Sequence, residues 1–366
     1  MGNYTNQKVL NCVKVEKDIT QVFCRIKLFT GIAFCFFITF CIGQTNNSDK
    51  QNIRKEKGTI QFPHFNIQIS EVVRTMFQDS KGNIWFGTQE GAFKLAGDSL
   101  IYIDSIRSES GKRVTIKDIA EDKDGVIWFG HTDGISSIDG EKVSNYYQSD
   151  GLISNDVWCI SSDVEGKIWI GTIKGVCVFD KKNFVNFELP EGIRDTTLGV
   201  SSAKMVHKIL KDSKGCLWIS SNAGLFSYSN NTLTHVSKKV GINTNFVNFL
   251  FEDRKGGLWI SSKEGLYYLK DNVAKNITEN NVELGKGIGS IAEDKEGKIW
   301  FVVNQHFLYS YDGKELTEFQ KSEGNKGPVV FQIYKDQGDR LWFVGYGGAY
   351  RLESGKFLNI TKYNLW

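Results

Sequence analysis

Residues 79–91 read DSKGNIWFGTQEG, and the same arrangement of Asp, Gly and Trp returns six more times along the chain. An Asp precedes each repeat Trp by six positions, and a Gly precedes it by three positions in six of the seven copies. The repeat tryptophans are Trp85, Trp128, Trp169, Trp218, Trp259, Trp300 and Trp342, at spacings of 41 to 49 residues. This period is typical of propellers, in which each repeat is a four-stranded sheet.

One copy predicts a small antiparallel sheet. The apolar run before the Asp, such as VRTMF at 73–77, predicts a buried strand. The D-x-x-G element predicts a tight turn, because Asp can accept hydrogen bonds from backbone N–H groups two residues on and Gly accepts a positive φ. The Trp then lies in the second strand. We therefore expect an all-β fold, a seven-bladed β-propeller of four-stranded antiparallel blades over residues 60–366, with the tryptophans packed between blades.

Two segments are candidates for closing the ring. Residues 58–66 (GTIQFPHFN) and 355–361 (GKFLNIT) both resemble the fourth strands of the other repeats. Either or both can pair with the last blade.

The N-terminal segment has the order of an export signal. Residues 28–43 form an uncharged run of sixteen, with basic residues before it and a polar stretch after it. We expect residues 1–43 to be a signal peptide or membrane anchor and 44–59 to be a polar tether. Lipidation at Cys41, ordinary cleavage after Gly43 and an uncleaved anchor are the three alternatives. Each predicts an exported protein in the periplasm or on the cell surface, and the first and third attach it to a membrane.

Charge and cysteine content exclude several functions. The chain has 45 Lys and Arg against 42 Asp and Glu, and the whole net charge of +3 lies in the first 27 residues. A neutral body offers no electrostatic surface for DNA or RNA, so we expect no nucleic-acid partner. Cys159, Cys177 and Cys216 are the cysteines outside the N-terminal segment, and their spacing fits no zinc site. No nucleotide-binding or metalloprotease motif occurs either, so we expect neither metal nor cofactor.

The position five residues before the repeat Asp carries no common chemistry, although the positions six and three before it are always aliphatic or Met. We therefore predict that this position forms a ring at one mouth of the channel. The ring residues are Arg74, Lys117, Trp158, His207, Asn248, Gly289 and Phe331. The turns between the second and third strands should open on the same face, and they add Glu90, His131, Asp133, Lys174, Asn222, Lys263, Glu264, Gln305 and Tyr346.

Cations, aromatic rings and amides together suit a polar, neutral or weakly anionic ligand. We expect a saccharide, a peptide or a partner protein at this face. A solvated channel without a ligand is the other interpretation of the same pattern. The candidate ligand-binding residues are Arg74, Lys117, Trp158, His207, Asn248, Phe331, His131 and Tyr346.

The motif D-x-x-G-x-[IL]-W-[FI]-G-T-x-x-G resembles the two-component regulator propeller repeat, and the resemblance covers almost all of residues 60–366. In that family the propeller is typically an extracytoplasmic sensor placed ahead of a β-sandwich, a membrane span and a histidine kinase. This chain departs from the pattern, since copies four to seven lack the Gly-Thr after the Trp. We expect a stand-alone propeller without a kinase domain. The resemblance then implies a noncatalytic sensor or binding module.

A propeller enzyme, either a lyase or a glycan-processing enzyme, is the alternative function. The repeat resembles the Asp box of sialidases, but its spacing from Asp to Trp is longer. Streptogramin B lyases share the I/L-W-F segment and then diverge. The candidate bases are His131, His207, His235 and His306. A lyase would bring at least two histidines together at the channel mouth, whereas a binding protein would place aromatic rings and amides there without an acid–base pair.

Overall fold

The structure is a computed structural model that describes residues 59–61, 69–96, 99–194, 196, 201–279, 281–282, 287–319 and 329–361. Within this part of the chain the strands form seven antiparallel sheets, which are the blades of a closed propeller. The expected all-β, seven-bladed architecture is therefore confirmed. The proposed export segment and Cys41 lie outside the described residues.

The first three blades follow the chain in order. Blade 1 contains β1 (Thr59–Gln61), β2 (Val73–Gln78), β3 (Ile84–Thr88), β4 (Gly91–Ala96) and β5 (Ser99–Ile103). Blade 2 contains β6 (Ile116–Glu121), β7 (Ile127–His131), β8 (Gly134–Asp139) and β9 (Lys142–Tyr146). Blade 3 contains β10 (Val157–Ser162), β11 (Ile168–Thr172), β12 (Gly175–Phe179) and β13 (Phe184–Phe187).

The remaining blades repeat the same order of strands. Blade 4 contains β14 (Val206–Lys211), β15 (Leu217–Ser221), β16 (Gly224–Ser229) and β17 (Thr232–His235). Blade 5 contains β18 (Val247–Glu252), β19 (Leu258–Ser262), β20 (Leu266–Lys270) and β21 (Val273–Asn276). Blade 6 contains β22 (Ile288–Glu293), β23 (Ile299–Val303), β24 (Phe307–Tyr311) and β25 (Leu316–Phe319). Blade 7 contains β26 (Val330–Lys335), β27 (Leu341–Gly345), β28 (Gly348–Glu353) and β29 (Lys356–Asn359).

The strand that precedes the D-x-x-G turn is the innermost strand of every blade, because these strands contact one another around the ring. The described residues also contain two short 3₁₀ helices, Gln148–Asp150 and Ser237–Val240. In the same residues, no helix has the length and apolar character needed to cross a membrane.

The two candidate closing segments have different places in the fold. Residues 356–359 form β29, the outermost strand of blade 7. Residues 59–61 form β1, which pairs antiparallel with β5 and adds a fifth, outermost strand to blade 1. The last blade is therefore completed by its own repeat, and residues 59–61, the described part of the first segment, pair with blade 1 instead.

The ring closes between blades 7 and 1 through side-chain contacts and a backbone bridge between Val72 and Tyr346. Trp342 is only 1% exposed and packs with Phe86 of blade 1, their ring centroids 6.3 Å apart. The Gln332 Oε1 atom accepts a 2.7 Å hydrogen bond from the backbone N–H of Met76. Closure therefore uses the same side-by-side packing that joins the other blades.

The repeat tryptophans pack between neighbouring blades, as the sequence predicted. Trp85 of blade 1, for example, lies in one apolar cluster with Ile116 and Phe129 of blade 2. Six of the seven are buried, and Trp218 is half-buried. Each indole therefore contributes to the interface with the next blade, where aromatic side chains bury a large apolar area.

The repeat Asp explains the constant spacing of six residues. In all seven repeats the Trp indole N–H donates to the Asp Oδ2 atom at 2.8 to 3.1 Å. In blade 1 the other oxygen of Asp79 accepts the backbone N–H groups of Lys81 and Asn83, at 3.0 and 2.8 Å. Burial alone would raise the pKa of Asp79, but the hydrogen bonds from Trp85 and Asn83 outweigh it and lower this pKa. One carboxylate thus fixes the turn and the indole together.

A second contact joins blades on the turn face, which we define as the end of the propeller that carries the D-x-x-G turns. Ser80 in the turn of blade 1 donates its N–H and its hydroxyl to the Glu121 carboxylate of blade 2, at 2.8 and 2.6 Å. Ser213 and Glu252 make the same contacts between blades 4 and 5, at 2.7 and 2.6 Å. The turn face is therefore held by hydrogen bonds that recur from blade to blade.

Candidate functional site

The ring residues lie at a β-bulge in each innermost strand. Val73 pairs with Thr88 and Thr75 pairs with Gly87, so Arg74 is the extra residue of its strand. The same shift in register occurs at Lys117, Trp158, His207, Asn248 and Phe331, and in blade 6 it spans Gly289 and Ser290. A bulge re-aims the side chain of the extra residue. This position therefore escapes the regular packing of the neighbouring core positions.

Arg74 forms the first group of contacts at the mouth, at the junction of blades 7 and 1. Its guanidinium carbon lies 5.1 Å from the centroid of the Phe331 ring, within the range of a cation–π contact. The Phe331 and Tyr346 rings are 5.3 Å apart, and Tyr346 is 54% exposed. Burial lowers the pKa of Arg74 below its usual value, although Tyr346 and Asp156 oppose this shift.

Lys117 forms the second group with Trp158 and Asp156. The Lys117 ammonium lies 3.8 Å from the centroid of the Trp158 ring and makes an ion pair with Asp156. The indole N–H of Trp158 donates to the other oxygen of Asp156 at 3.2 Å. The Lys117 side chain is only 10% exposed, and burial lowers its pKa although the hydrogen bond to Asp156 opposes the shift. The cation, the ring and the carboxylate hold one another in place.

His207 forms the third group, on the blade 4 side of the mouth. Its Nε2 atom lies 2.7 Å from the Oδ1 atom of the buried Asn222, and its ring centroid lies 4.8 Å from that of Phe246. The Lys263 ammonium lies 5.0 Å from the centroid of the Phe246 ring. Asn222 therefore contacts His207 directly, whereas Lys263 is connected to His207 through the Phe246 ring.

The blade 5 and blade 6 positions of the ring carry smaller groups. The amide of Asn248 donates to the backbone carbonyl of Ile288 at 3.0 Å, which links blades 5 and 6. Gly289 follows Ile288 and presents no side chain. The bulky and charged groups therefore lie on the other blades of the ring.

His131 lies elsewhere than the sequence suggested. It is the last residue of β7 and is fully buried. Its Nδ1 atom accepts the backbone N–H of Asp133 at 3.2 Å, as the hydroxyl of Thr172 does for Lys174 in blade 3. Burial, with a smaller effect from Lys117, lowers the pKa of His131 to about 3. His131 therefore replaces a strand-end Thr in the core and does not line the mouth.

A second layer of channel side chains, unforeseen from the sequence, occupies the position after the ring. The Lys208 ammonium of blade 4 lies 3.0 Å from the Asp118 carboxylate of blade 2, and their side chains are only 20% and 8% exposed. Asp118 also accepts the backbone N–H of Ile160 in blade 3, at 3.0 Å. Burial alone would lower the pKa of Lys208, but Asp118 and Cys159 raise it above its usual value. The ion pair thus joins blades 2 and 4, and the hydrogen bond to Ile160 adds blade 3 to the same group.

Asp156 and Phe246 are the mouth residues that the sequence analysis missed. Each immediately precedes an innermost strand, seven residues before a repeat Asp. The residues at this position also differ from blade to blade, so extending the comparison of repeats by one position would have found them.

The described cysteines, Cys159, Cys177 and Cys216, are all free. Cys159 and Cys177 are free and buried, and burial raises the pKa of the Cys159 thiol to about 12. Within the described ranges, no group of His, Cys, Asp and Glu side chains has the arrangement of a metal site. His235 lies on β17, the outermost strand of blade 4, and stacks on Phe226.

Four segments match the family model described as the two component regulator propeller, at residues 68–90, 108–133, 151–174 and 241–264. These segments cover the first two strands of blades 1, 2, 3 and 5. The resemblance is therefore confirmed at four of the seven repeats. A search of curated proteins finds no match to the chain.

Solved structures share the fold at low sequence identity. The extracellular domain of BT4673 from B. thetaiotaomicron, described as a one component system, has a TM-score of 0.62 at 19% identity and covers 78% of this chain and 39% of that chain. The extracellular domain of BT3049 from B. thetaiotaomicron, described as a hybrid two component system, has a TM-score of 0.61 at 23% identity. The match covers 80% of this chain and 40% of that chain. Virginiamycin B lyase from Staphylococcus aureus has a TM-score of 0.59 at 14% identity, with coverages of 79% and 96%. The chain spans about two fifths of the length of the two extracellular domains.

Proposed function

We propose that this chain is an extracytoplasmic, noncatalytic sensor or binding propeller, and that its ligand site is the ring at the channel mouth. The observation that carries this proposal is the bulge. It recurs at the same place in all seven blades, yet its residues differ in every blade. Repeats that share their packing residues but differ at the positions around the mouth are typical of a scaffold that carries a site.

The chemistry of the mouth supports a polar ligand. Cations lie over aromatic rings in all three groups: Arg74 over Phe331, Lys117 over Trp158, and Lys263 over Phe246. The third group adds an imidazole bonded to an amide. Aromatic surfaces flanked by a few placed polar groups suit a saccharide, a peptide or an exposed segment of a partner protein.

A binding experiment on the purified full chain tests this proposal. Wild-type protein is applied to saccharide and peptide arrays beside Lys117→Ala/Trp158→Ala, and the variants' folding is checked by circular dichroism. The matched control is Lys214→Ala/Lys255→Ala, which removes two exposed lysines from the turn face. We expect the first pair to lose the signal and the control to keep it. Equal binding by all three proteins would place the site elsewhere.

The extracytoplasmic location is supported by the structural similarity to extracellular sensor domains. We propose that lipid at Cys41 attaches the protein to the inner or outer membrane and leaves the mouth accessible. The test compares membrane fractionation of wild type with Cys41→Ser, with Cys24→Ser as the control. Release of only the first variant supports the lipid anchor. Retention of both would reject the anchor without affecting the ligand site.

A lyase is the alternative function, and the fold shared with virginiamycin B lyase is the observation that favours it. His207 is the ring histidine, whereas His131 is fully buried and bonded to Asp133. Incubation of the full chain with a streptogramin B, followed by mass spectrometry, tests the alternative. Ring opening that is abolished in His207→Ala would replace the binding proposal.

A further inference from the structure

Arg74 differs from the other half-buried cations that face the channel. Lys208 is paired with Asp118, and Lys117 is paired with Asp156. Among the described residues, no carboxylate lies within ion-pair distance of the Arg74 guanidinium, and no acceptor takes a hydrogen bond from it. Asp156 is the carboxylate whose charge raises the pKa of Arg74, but its two oxygens are already bonded to Lys117 and Trp158.

A half-buried guanidinium without an anion is unfavourable, because burial disfavours a charge that nothing compensates. Its flat, donor-rich edge is suited to two parallel hydrogen bonds with a carboxylate. The guanidinium carbon of Arg74 lies over the Phe331 ring, 5.1 Å from its centroid, so the group contacts an aromatic ring and not an anion. The group is thus held in place but has unused donors.

The surroundings of Arg74 favour a single negative charge. Lys117 is already neutralised by Asp156, so the group formed by Arg74, Lys117 and Asp156 carries one uncompensated positive charge. A dianion such as phosphate would bring a second negative charge near the Asp156 carboxylate, and this group of residues has no second unpaired cation to compensate it. The rings of Phe331 and Tyr346 offer an apolar wall for the body of a ligand.

We propose that Arg74 is the anion-recognition residue of the mouth and binds the carboxylate of a small organic acid, whose body packs on Phe331 and Tyr346. This inference rests on the proposed function and names its ligand class. A uronic acid and the terminal carboxylate of a peptide are two sources of the same chemistry. Arg74 supplies both hydrogen bonds, and Tyr346 covers the ligand from the solvent side.

Calorimetric titration of the full chain tests the inference. The probes are glucuronate and its neutral amide, N-acetylglycine and its neutral amide, and inorganic phosphate. We expect wild type to bind at least one carboxylate about tenfold more tightly than the matching amide, and more tightly than phosphate. Preference for glucuronate indicates a saccharide source, and preference for N-acetylglycine indicates a peptide source.

Two substitutions locate the effect. Arg74→Gln should remove the preference for the carboxylate, whereas Arg113→Gln should keep it. Arg113 is a matched control, since its guanidinium carbon lies 5.3 Å from the centroid of the Tyr102 ring but the residue is exposed and outside the ring position. An unchanged melting midpoint confirms that both variants are folded.

The outcomes separate this inference from the proposed function. If neutral ligands bind in a manner that depends on Lys117 and Trp158, but carboxylates show no preference or Arg74→Gln retains it, the inference is wrong and the proposed function stands. If no carboxylate binds wild type, the inference is equally overturned. If no array ligand depends on Lys117 and Trp158 either, the proposed function fails as well.

Discussion

The two ends of the propeller follow opposite rules. On the turn face, every repeat uses the same Asp to accept an indole N–H, as Asp163 does for Trp169 and Asp336 for Trp342. At the mouth, every blade has a bulge, but the side chain at the bulge changes from one blade to the next. The backbone is repeated at both ends, whereas the side chains are repeated only on the turn face.

This difference has a physical origin. The turn-face Asp must satisfy two backbone N–H groups and a buried indole N–H, and few side chains can replace it. The bulged residue has no regular partner across the sheet, so its identity is not set by packing. The turn face therefore carries stability, and the mouth is available for recognition. Substitutions at the two ends and between the blades test this division.

Trp169→Ala should lower the free energy of unfolding by about 3–5 kcal/mol, because it removes a large buried side chain between blades 3 and 4. Trp218→Ala is the matched control, since Trp218 occupies the same repeat position but is half-buried. Trp218→Ala should lower the free energy of unfolding by less than Trp169→Ala does. Urea denaturation followed by circular dichroism measures both losses, and equal costs would show that burial between blades does not govern the repeat tryptophans.

Lys208→Met should lower the free energy of unfolding by about 3 kcal/mol, because it leaves the buried Asp118 carboxylate without its cation. The double variant Asp118→Asn/Lys208→Met removes both charges and should recover most of this loss. The recovery is measured as the coupling energy of a double-mutant cycle. Simple additivity of the two substitutions would mean that the ion pair between blades 2 and 4 contributes no net coupling.

Asp336→Asn should cost about 1–2 kcal/mol at neutral pH, because the amide nitrogen cannot accept the indole N–H of Trp342. Burial alone would raise the pKa of Asp336, but hydrogen bonds from Trp342 and Arg340 lower it. The folded state thus favours the charged carboxylate, and this stabilisation is complete above the ordinary pKa of about 4 and is lost as the pH falls below it.

The difference in free energy of unfolding between wild type and Asp336→Asn should therefore shrink as the pH falls from about 5 to about 2. Denaturation midpoints measured across this range test the sign. A difference that grows on acidification would mean that the neutral carboxyl is the favoured form on the turn face.

The sequence predicted features that recur, and it missed features that occur once. Seven blades, the strand order and the buried tryptophans followed from the repeat. The ion pair of Asp118 and Lys208 did not, because its residues are 90 positions apart and occur in single blades. His131 resembled a mouth residue because it is a histidine near a turn. Its alignment with Thr172 was the signal that it replaces a strand-end hydroxyl.

The smallest expected change in stability concerns two arginines at opposite ends of the molecule. Arg340 on the turn face contacts the Asp336 carboxylate at 2.7 Å, whereas Arg74 at the mouth has no ion-pair partner among the described residues. Arg340→Gln should lower the free energy of unfolding by about 0.5–1 kcal/mol, as for a partly exposed pair. Arg74→Gln should leave it unchanged within about 0.5 kcal/mol, because loss of the cation–π contact with Phe331 is offset by removal of a half-buried, uncompensated charge. Parallel urea denaturation of the two variants measures the contrast. A cost above about 1 kcal/mol for Arg74→Gln would make Arg74 a packing residue, and the mouth would then obey the same rule as the turn face.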